Sequence, residues 1–251
     1  MSESSNYKTF WEHLDEFRGT LIKIIVCLVV CSVLAFCFKD ILFSLVLYPQ
    51  QPSFITYSIL NIKPIKVELI STELTAQMMI HIKTAFMFGV VMSSPYIIKV
   101  LFSFIAPALY ENEKKYSIHI VLSAYIMFLM GIALNYFLIF PITWNFLANY
   151  QVSVQVKNMI TLQSYMDTLL MLSLVFGIMF EIPVLSWILG KLGFIKSRVM
   201  KKYRKHTIVV VLILAAIITP TSDIFTLLIV SLPIWLLYEI SIFIVKAVEK
   251  R

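Results

Sequence analysis

Charge is scarce in this sequence. Only 14% of its 251 residues are Asp, Glu, Lys or Arg, against 60% hydrophobic residues and a mean hydropathy of +0.88. Soluble domains carry roughly 25% charged residues, so there is too little polar surface here to cover the apolar mass. That argues against a water-soluble domain and for a polytopic membrane protein. Cysteine is nearly missing as well. Cys27, Cys31 and Cys37 share one apolar segment, with no paired spacing elsewhere and no His cluster beside them. They read as small apolar residues facing lipid or a neighbouring helix. No metal and no cofactor is expected. Also absent are His-Glu-x-x-His, Gly-x-Ser-x-Gly and any paired catalytic Asp motif, which makes a membrane-embedded enzyme the weakest reading. His13, His81, His119 and His206 are scattered over different segments. The first 20 residues are polar and include Glu3, Glu12, Asp15 and Glu16, so neither a cleavable signal nor a transit peptide is expected. Neither an internal repeat nor a soluble domain is visible.

What is present is a series of apolar runs. A membrane-spanning helix needs about 20 mostly apolar residues, because the hydrocarbon core is about 30 Å thick. Six runs qualify or nearly qualify, at residues 21–38, 74–102, 116–140, 162–190, 207–219 and 224–245. The second contains Lys83 and Pro95, the third has no charged residue, and the fourth carries Asp167, Glu181 and Pro183. The fifth is brief and stops at Pro220; the sixth carries Pro233 and Glu239. Pro220-Thr221-Ser222-Asp223 leaves only a tight link, so the last two runs form an antiparallel hairpin. The expected fold is all-α, a single integral membrane domain over residues 1–251. It comprises an amphipathic stretch at 1–20, six transmembrane helices within 21–245 and a tail at 246–251.

The net charge of +7 raises nucleic acid as a partner for a soluble chain, but in a membrane chain Lys and Arg collect in cytoplasmic loops. Sixteen of the 21 basic residues fall on the side shared by the N-terminus, the even-numbered loops and the C-terminus. Both termini are therefore expected in the cytoplasm, loops 48–71 and 143–161 outside, and no nucleic acid as a partner.

The minority sign carries more information. Two short stretches place carboxylates on the otherwise basic side: Phe10-Trp11-Glu12-His13-Leu14-Asp15-Glu16-Phe17-Arg18 and Phe104-Ile105-Ala106-Pro107-Ala108-Leu109-Tyr110-Glu111-Asn112-Glu113-Lys114-Lys115. In a helix, Trp11, Leu14, Phe17 and Arg18 form one strip, which suits an interfacial helix, and Glu12 and Glu16 are i, i+4 neighbours. The first stretch fits either an ordinary interfacial helix with solvated charges or half of a recognition surface. Together the two offer carboxylates beside exposed aromatic groups, chemistry suited to a cationic, partly hydrophobic ligand. Arg guanidinium pairs bidentately with carboxylate, which adds geometry to strength. Glu181 and Glu239 lie inside spans, where ionisable groups are costly and normally face a protein interior or a wet cavity.

These same residues carry a resemblance. His13-Leu14-Asp15-Glu16-Phe17-Arg18 is similar to the His-Leu-x-Glu-Leu-Arg pattern of the TatC family of twin-arginine translocase subunits, with Phe17 in place of Leu. Phe104 to Glu113 matches the family's Phe-x-x-Pro-x-Leu-Tyr-x-x-Glu, and Phe180-Glu181-Ile182-Pro183 its Phe-Glu-x-Pro. Thr219-Pro220-Thr221-Ser222-Asp223, Pro233 and Leu237-Tyr238-Glu239 follow in order. The resemblance implies no catalysis. It implies a receptor for the twin-arginine signal peptides of folded proteins that self-associates in a multi-subunit complex and works with single-span TatA/TatB-type partners. It implies transport driven by the proton-motive force, in a bacterial inner membrane or an organelle-encoded equivalent. Glu16 and Glu113 would engage the arginine pair, with Arg18 in the same motif. Phe104, Pro107, Leu109 and Tyr110 would shape the binding site. Glu181, Glu239 and Tyr238 would be intramembrane polar groups, and Pro95, Thr219, Pro220 and Asp223 would shape the helices and the hairpin. The fifth and sixth helices would both be short. One departure stands out: Leu227 occupies a position where the family commonly has Gln in a partner-contacting patch, with Thr226 the nearest polar substitute. The main alternative is a secondary transporter or channel with Glu181 and Glu239 as ion or proton sites.

Overall fold

The computed structural model describes residues 10–63, 68–105, 117–151, 153, 158–219 and 223–249. Helix dominates, and the β structure among the described residues is one isolated bridge. Five helices are long and apolar enough to cross a membrane, within Leu14–Phe36, Ala76–Phe104, Ile118–Asn149, Leu162–Lys191 and Ile224–Glu249.

Helix α1 (Phe10–Phe36) joins the amphipathic stretch and the first apolar run without a break at residue 21. Nothing between them stops a helix. Thr20 donates its hydroxyl to the Glu16 carbonyl at 2.9 Å, and Gly19 continues the helix in open space. α1 packs along α4 (Ala76–Ile105). Their approach is set by Gly89, where an added Cβ would lie 2.1 Å from Ser32 Oγ; small residues let membrane helices come this close. Pro95 inside α4 removes one N–H and so strips the Val91 carbonyl of its helical donor. The Ser94 hydroxyl takes over at 2.8 Å, as a carbonyl without water requires.

The short helices α2 (Lys39–Leu47) and α3 (Ile55–Ile59), linked through a 3-10 turn at Tyr48–Gln50, build a cap at one end. Phe54 is 0% exposed at its centre, ringed by Tyr48, Tyr57, Tyr136 and Phe137 with centroids 5.2 to 6.1 Å away. Tyr57 donates to the Pro49 carbonyl at 2.8 Å, and burial pushes its phenol up to about 12. Tyr136 and Tyr165 reach the Leu45 and Val46 carbonyls at 2.7 and 3.0 Å. Ile70 bridges in parallel to Thr161 and zips the two loops of this cap face together.

Helix α5 (Ser117–Leu134) runs through a π turn at Asn135–Ile139 into α6 (Phe140–Asn149). The third span was expected to end at Phe140, before Pro141; instead the helix widens and continues to Asn149. The Phe140 N–H reaches back to the Asn135 carbonyl, and the Phe137 carbonyl that Pro141 would have orphaned accepts from the Thr56 hydroxyl of the cap. Asn135, 0% exposed, clamps α5 to α7 (Leu162–Met179) by donating to Ser173 Oγ at 2.8 Å. Nearby, a Cβ on Gly131 would sit 2.3 Å from the Phe176 carbonyl oxygen, so backbone meets backbone there.

The fourth apolar run is two helices, α7 and α8 (Ile182–Lys191), separated at Phe180-Glu181 by Pro183 in the first turn of α8. Then come α9 (Ser197–Lys202), α10 (Arg204–Ile218) and α11 (Ile224–Glu249). α10 has 15 residues, about 22 Å at 1.5 Å per residue, short of a ~30 Å hydrocarbon core. The sixth helix departs from expectation: α11 has 26 residues, about 39 Å. Pro233 does not stop it, and its last turns extend past the apolar part to pack against α8 and α9. Phe176, Ala215, Val230 and Ile234 form the core shared by α7, α10 and α11.

Candidate functional site

Two of the sequence motifs converge at the end of the molecule opposite the cap. α1 carries Glu16, Thr20 and Lys23, and the last turns of α4 carry Tyr96, Lys99, Ser103 and Phe104; all line one open cavity of about 450 Å³. Phe17 and Phe104 form its aromatic edge with ring centroids 5.7 Å apart. α1 presents Glu16, Thr20 and Lys23 together because they are spaced at i, i+4 and i+7. The hydroxyls of Thr20 and Ser103 donate to the carbonyls of Glu16 and Lys99, at 2.9 and 2.8 Å. Arg18 lies exposed on α1 and does not line it. Pro107, Leu109, Tyr110 and Glu113 lie outside the described residues. Lys23 and Lys99 were not singled out as site residues. Lys23 follows Glu16 at i+7, which a helical reading of the motif could have revealed.

A second concavity, about 370 Å³, opens between α4, α5 and the α7–α8 break. Its lining is almost wholly apolar, with Phe102, Phe128, Ile178 and Val184 among the walls, and Glu181 is its carboxylate. Glu181 Oε1 is buried without a hydrogen-bond partner among the described residues. Glu181 is placed by the break itself: it is the residue before α8, and its carbonyl accepts the Leu185 N–H at 2.9 Å.

The other polar candidates are used structurally. Glu239 accepts from Arg204 at 2.5 Å, and Tyr238 donates to the Met200 carbonyl at 2.9 Å, so both tie α11 to α9 and α10. Pro95 lies inside α4, where the Ser94 hydroxyl donates to the Val91 carbonyl that the proline leaves without its helical donor. Thr219 donates to the Ala215 carbonyl at 2.9 Å. Asp223 caps α11 by accepting the Thr226 N–H at 2.7 Å. Pro220 lies outside the described residues. Thr226, the polar substitute offered for a partner patch, is only 1% exposed and presents no surface to a partner. Leu227 packs against the core of α7, α10 and α11.

One pair escaped the sequence reading. Lys83 on α4 and Asp167 on α7 meet at 2.6 Å toward the cap face. Both residues were visible as charges inside apolar runs, at a similar depth from the same end and of opposite sign, which is the signal that could have paired them. No group of three or more His, Cys, Asp or Glu side chains that could hold a metal occurs among the described residues.

The family model for TatC, described as Sec-independent protein translocase protein, matches residues 12–233. The chain is 31% identical to the TatC protein of Blattabacterium over 267 residues, covering all of both chains. It is 33% identical to that of Aquifex aeolicus over 241 residues, covering 96% of this chain and 95% of the relative. Among solved structures it is similar to a crystal structure of the twin-arginine translocase receptor TatC. That match has a TM-score of 0.82 at 32% identity and covers 95% of this chain and 100% of the other. A second structure of that receptor gives a TM-score of 0.81 at 33% identity, covering 92% and 98%.

Proposed function

Because this chain belongs to the TatC family and is thereby a membrane subunit of the Tat protein-transport machinery, we propose that it is the receptor that binds twin-arginine signal peptides. The observation that supports this best is the cavity between α1 and α4. There Glu16 from one motif and Phe104 from another line the same space. A carboxylate beside an aromatic edge suits a guanidinium, which can pair bidentately and stack at once. A Lys ammonium offers neither geometry, so a Lys-Lys signal should be the poorer ligand. Glu113, nine residues beyond Phe104 in the same motif, is the second carboxylate that we assign to the site, with Pro107, Leu109 and Tyr110 as further binding residues.

The rest of the reading follows the family. The chain is one membrane-embedded unit with six transmembrane segments, both termini in the cytoplasm, in a bacterial inner membrane. It assembles with copies of itself and with single-span TatA/TatB-type partners, and it has no catalytic chemistry. Transport of folded cargo draws on the proton-motive force. The short α10 supports a locally thinned bilayer, since a helix under the hydrocarbon thickness is accommodated by thinning. Glu181, in its apolar concavity, is the polar group offered to a transmembrane segment that docks there. The transporter alternative loses one of its two supports, because Glu239 is engaged by Arg204.

The test is photo-crosslinking of a twin-arginine precursor to membranes containing the protein, repeated with Glu16→Ala, with Glu113→Ala and with a Lys-Lys signal. Each change should reduce crosslinking strongly. Crosslinking insensitive to all three would remove the receptor reading.

A further inference from the structure

Between α8 and α10 the chain makes a strap, residues 192–205, that contains no Asp or Glu but carries Lys196, Arg198, Lys201, Lys202, Arg204 and Lys205. It is held in place rather than loose. Gly193, at φ +74, turns the chain out of α8, a conformation glycine adopts without steric cost. At the start of α9, Ser197 donates both its N–H and its hydroxyl to the Glu249 carboxylate, at 2.7 and 2.5 Å. At its end, Met200 is buried and its carbonyl accepts from Tyr238. Arg204 pairs with Glu239.

This pinning settles which side chains face outward. Ser197 and Met200 are buried, while Lys196, Arg198, Lys201, Lys202 and Lys205 are exposed. The carboxylates that reach the strap, Glu239 and Glu249, are already taken by Arg204 and Ser197. Glu249 also attracts Lys196 and Arg198 electrostatically, but none of the five exposed cations makes a close ion pair among the described residues. Interleaved with them stand exposed apolar groups, Phe194 at 76% together with Val199 and Tyr203. A solvated positive loop has no use for an exposed Phe and Val. A surface that lies where spans end, between the last turn of α8 and the first of α10, has use for both: the apolar groups enter the boundary of the hydrocarbon and the cations remain at headgroup level.

We propose that this strap is a docking surface for anionic phospholipid headgroups, with the lipid phosphate held by Lys196, Arg198, Lys201, Lys202 and Lys205. The chemistry recognised is a phosphodiester with no compensating cation, attached to acyl chains. The inference rests on the geometry of the strap and not on the signal-peptide reading. Excess basic charge on one membrane face orients a chain during insertion, whichever loops carry it. A pinned, acid-free and partly apolar strap goes further, because it fixes the stretch of backbone from which these cations project toward a resident ligand.

The experiment uses the purified full chain in a neutral detergent, titrated with a fluorescent phosphatidylglycerol and competed with unlabelled phosphatidylglycerol, phosphatidylcholine or inorganic phosphate. The comparison protein is Lys196→Gln/Lys201→Gln/Lys202→Gln/Lys205→Gln, which removes no residue that pins the strap. A control, Lys39→Gln/Lys63→Gln, removes charge near the cap. Phosphatidylglycerol should compete at least about tenfold better than phosphatidylcholine, since each cation near an anionic lipid surface contributes roughly fivefold. The quadruple variant should lose that preference, while the control keeps it and inorganic phosphate competes only weakly. Equal competition by the two lipids would overturn the proposal. So would a quadruple variant that binds like the parent, a control that loses as much, or inorganic phosphate that competes as well as the lipid.

Discussion

Phe17 of α1 and Phe104 of α4 meet with their rings tilted by 55° and their centroids 5.7 Å apart, at the rim of the cavity that Glu16 lines. Each belongs to a different sequence motif, so this contact joins them into one site. Aromatic pairs contribute about 0.5–1.5 kcal/mol beyond the area they bury. Phe104→Ala should therefore weaken signal-peptide binding several-fold, while Phe104→Tyr retains most of it. Titrating a labelled signal peptide against both variants checks this, with tryptic digestion as the control for folding; equal affinity of the Ala variant and the parent would remove Phe104 from the site.

The backbone approach of α5 to α7 gives a sharper structural test. A Cβ on Gly131 would lie 2.3 Å from a main-chain oxygen, which no side-chain rotation can relieve. Gly131→Ala should destabilise the protein by roughly 1–3 kcal/mol, the range for overpacking. Gly19→Ala, where nothing lies within 4 Å, should be neutral or stabilising by up to ~1 kcal/mol because Ala favours helix over Gly. Thermal unfolding of the two variants in detergent decides the matter: equal melting temperatures would contradict the geometry.

Arg204 and Glu239 should behave as a pair. With Glu239 mostly buried and Arg204 half exposed, Glu239→Gln is expected to cost about 1 kcal/mol, in the range of interhelical polar contacts in membranes. The penalty of the double variant Arg204→Gln/Glu239→Gln should be smaller than the sum of the two single ones. Additive penalties in thermal unfolding would show that the two do not interact.

How far the molecule could be read from its residues depended on whether the signal was local. Hydropathy marked every apolar run, and the motifs singled out Glu16 and Phe104, which line the same cavity. What it misjudged were helix ends. The third apolar run was bounded at Phe140; the π turn and Thr56, remote in sequence, let the helix continue past Pro141. The cap around Phe54, the pairing of Lys83 with Asp167 and the use of Glu239 by Arg204 are likewise tertiary contacts. No local periodicity announces them. Thr226 shows the same limit from the other direction, since a polar residue next to Leu227 says nothing of which way its side chain faces.

Alkali should loosen the cap. The Tyr57 phenol is raised by burial from 10.0 to about 12, so the unfolded chain releases this proton at a lower pH than the folded one. The stabilisation it contributes is complete below about pH 10 and is lost as the pH rises through about 12. Tyr57→Phe, which cannot ionise, should show a shallower loss of stability across that window. Denaturant titrations at several alkaline pH values read the slope, and identical slopes for the two proteins would exclude Tyr57 as a source.

On the proposed function, the Glu16 carboxylate reads arginine in the signal. The most direct measurement is the affinity of the purified protein for a twin-arginine signal peptide and its Lys-Lys counterpart, with and without Glu16→Gln. Bidentate pairing predicts that the parent binds the Arg-Arg peptide at least about tenfold more tightly, consistent with ~1.5–3 kcal/mol for a charged hydrogen bond. It also predicts that this preference shrinks severalfold in the variant. A preference of the same size in both proteins would contradict the claim, because the arginines would then be recognised by some other group.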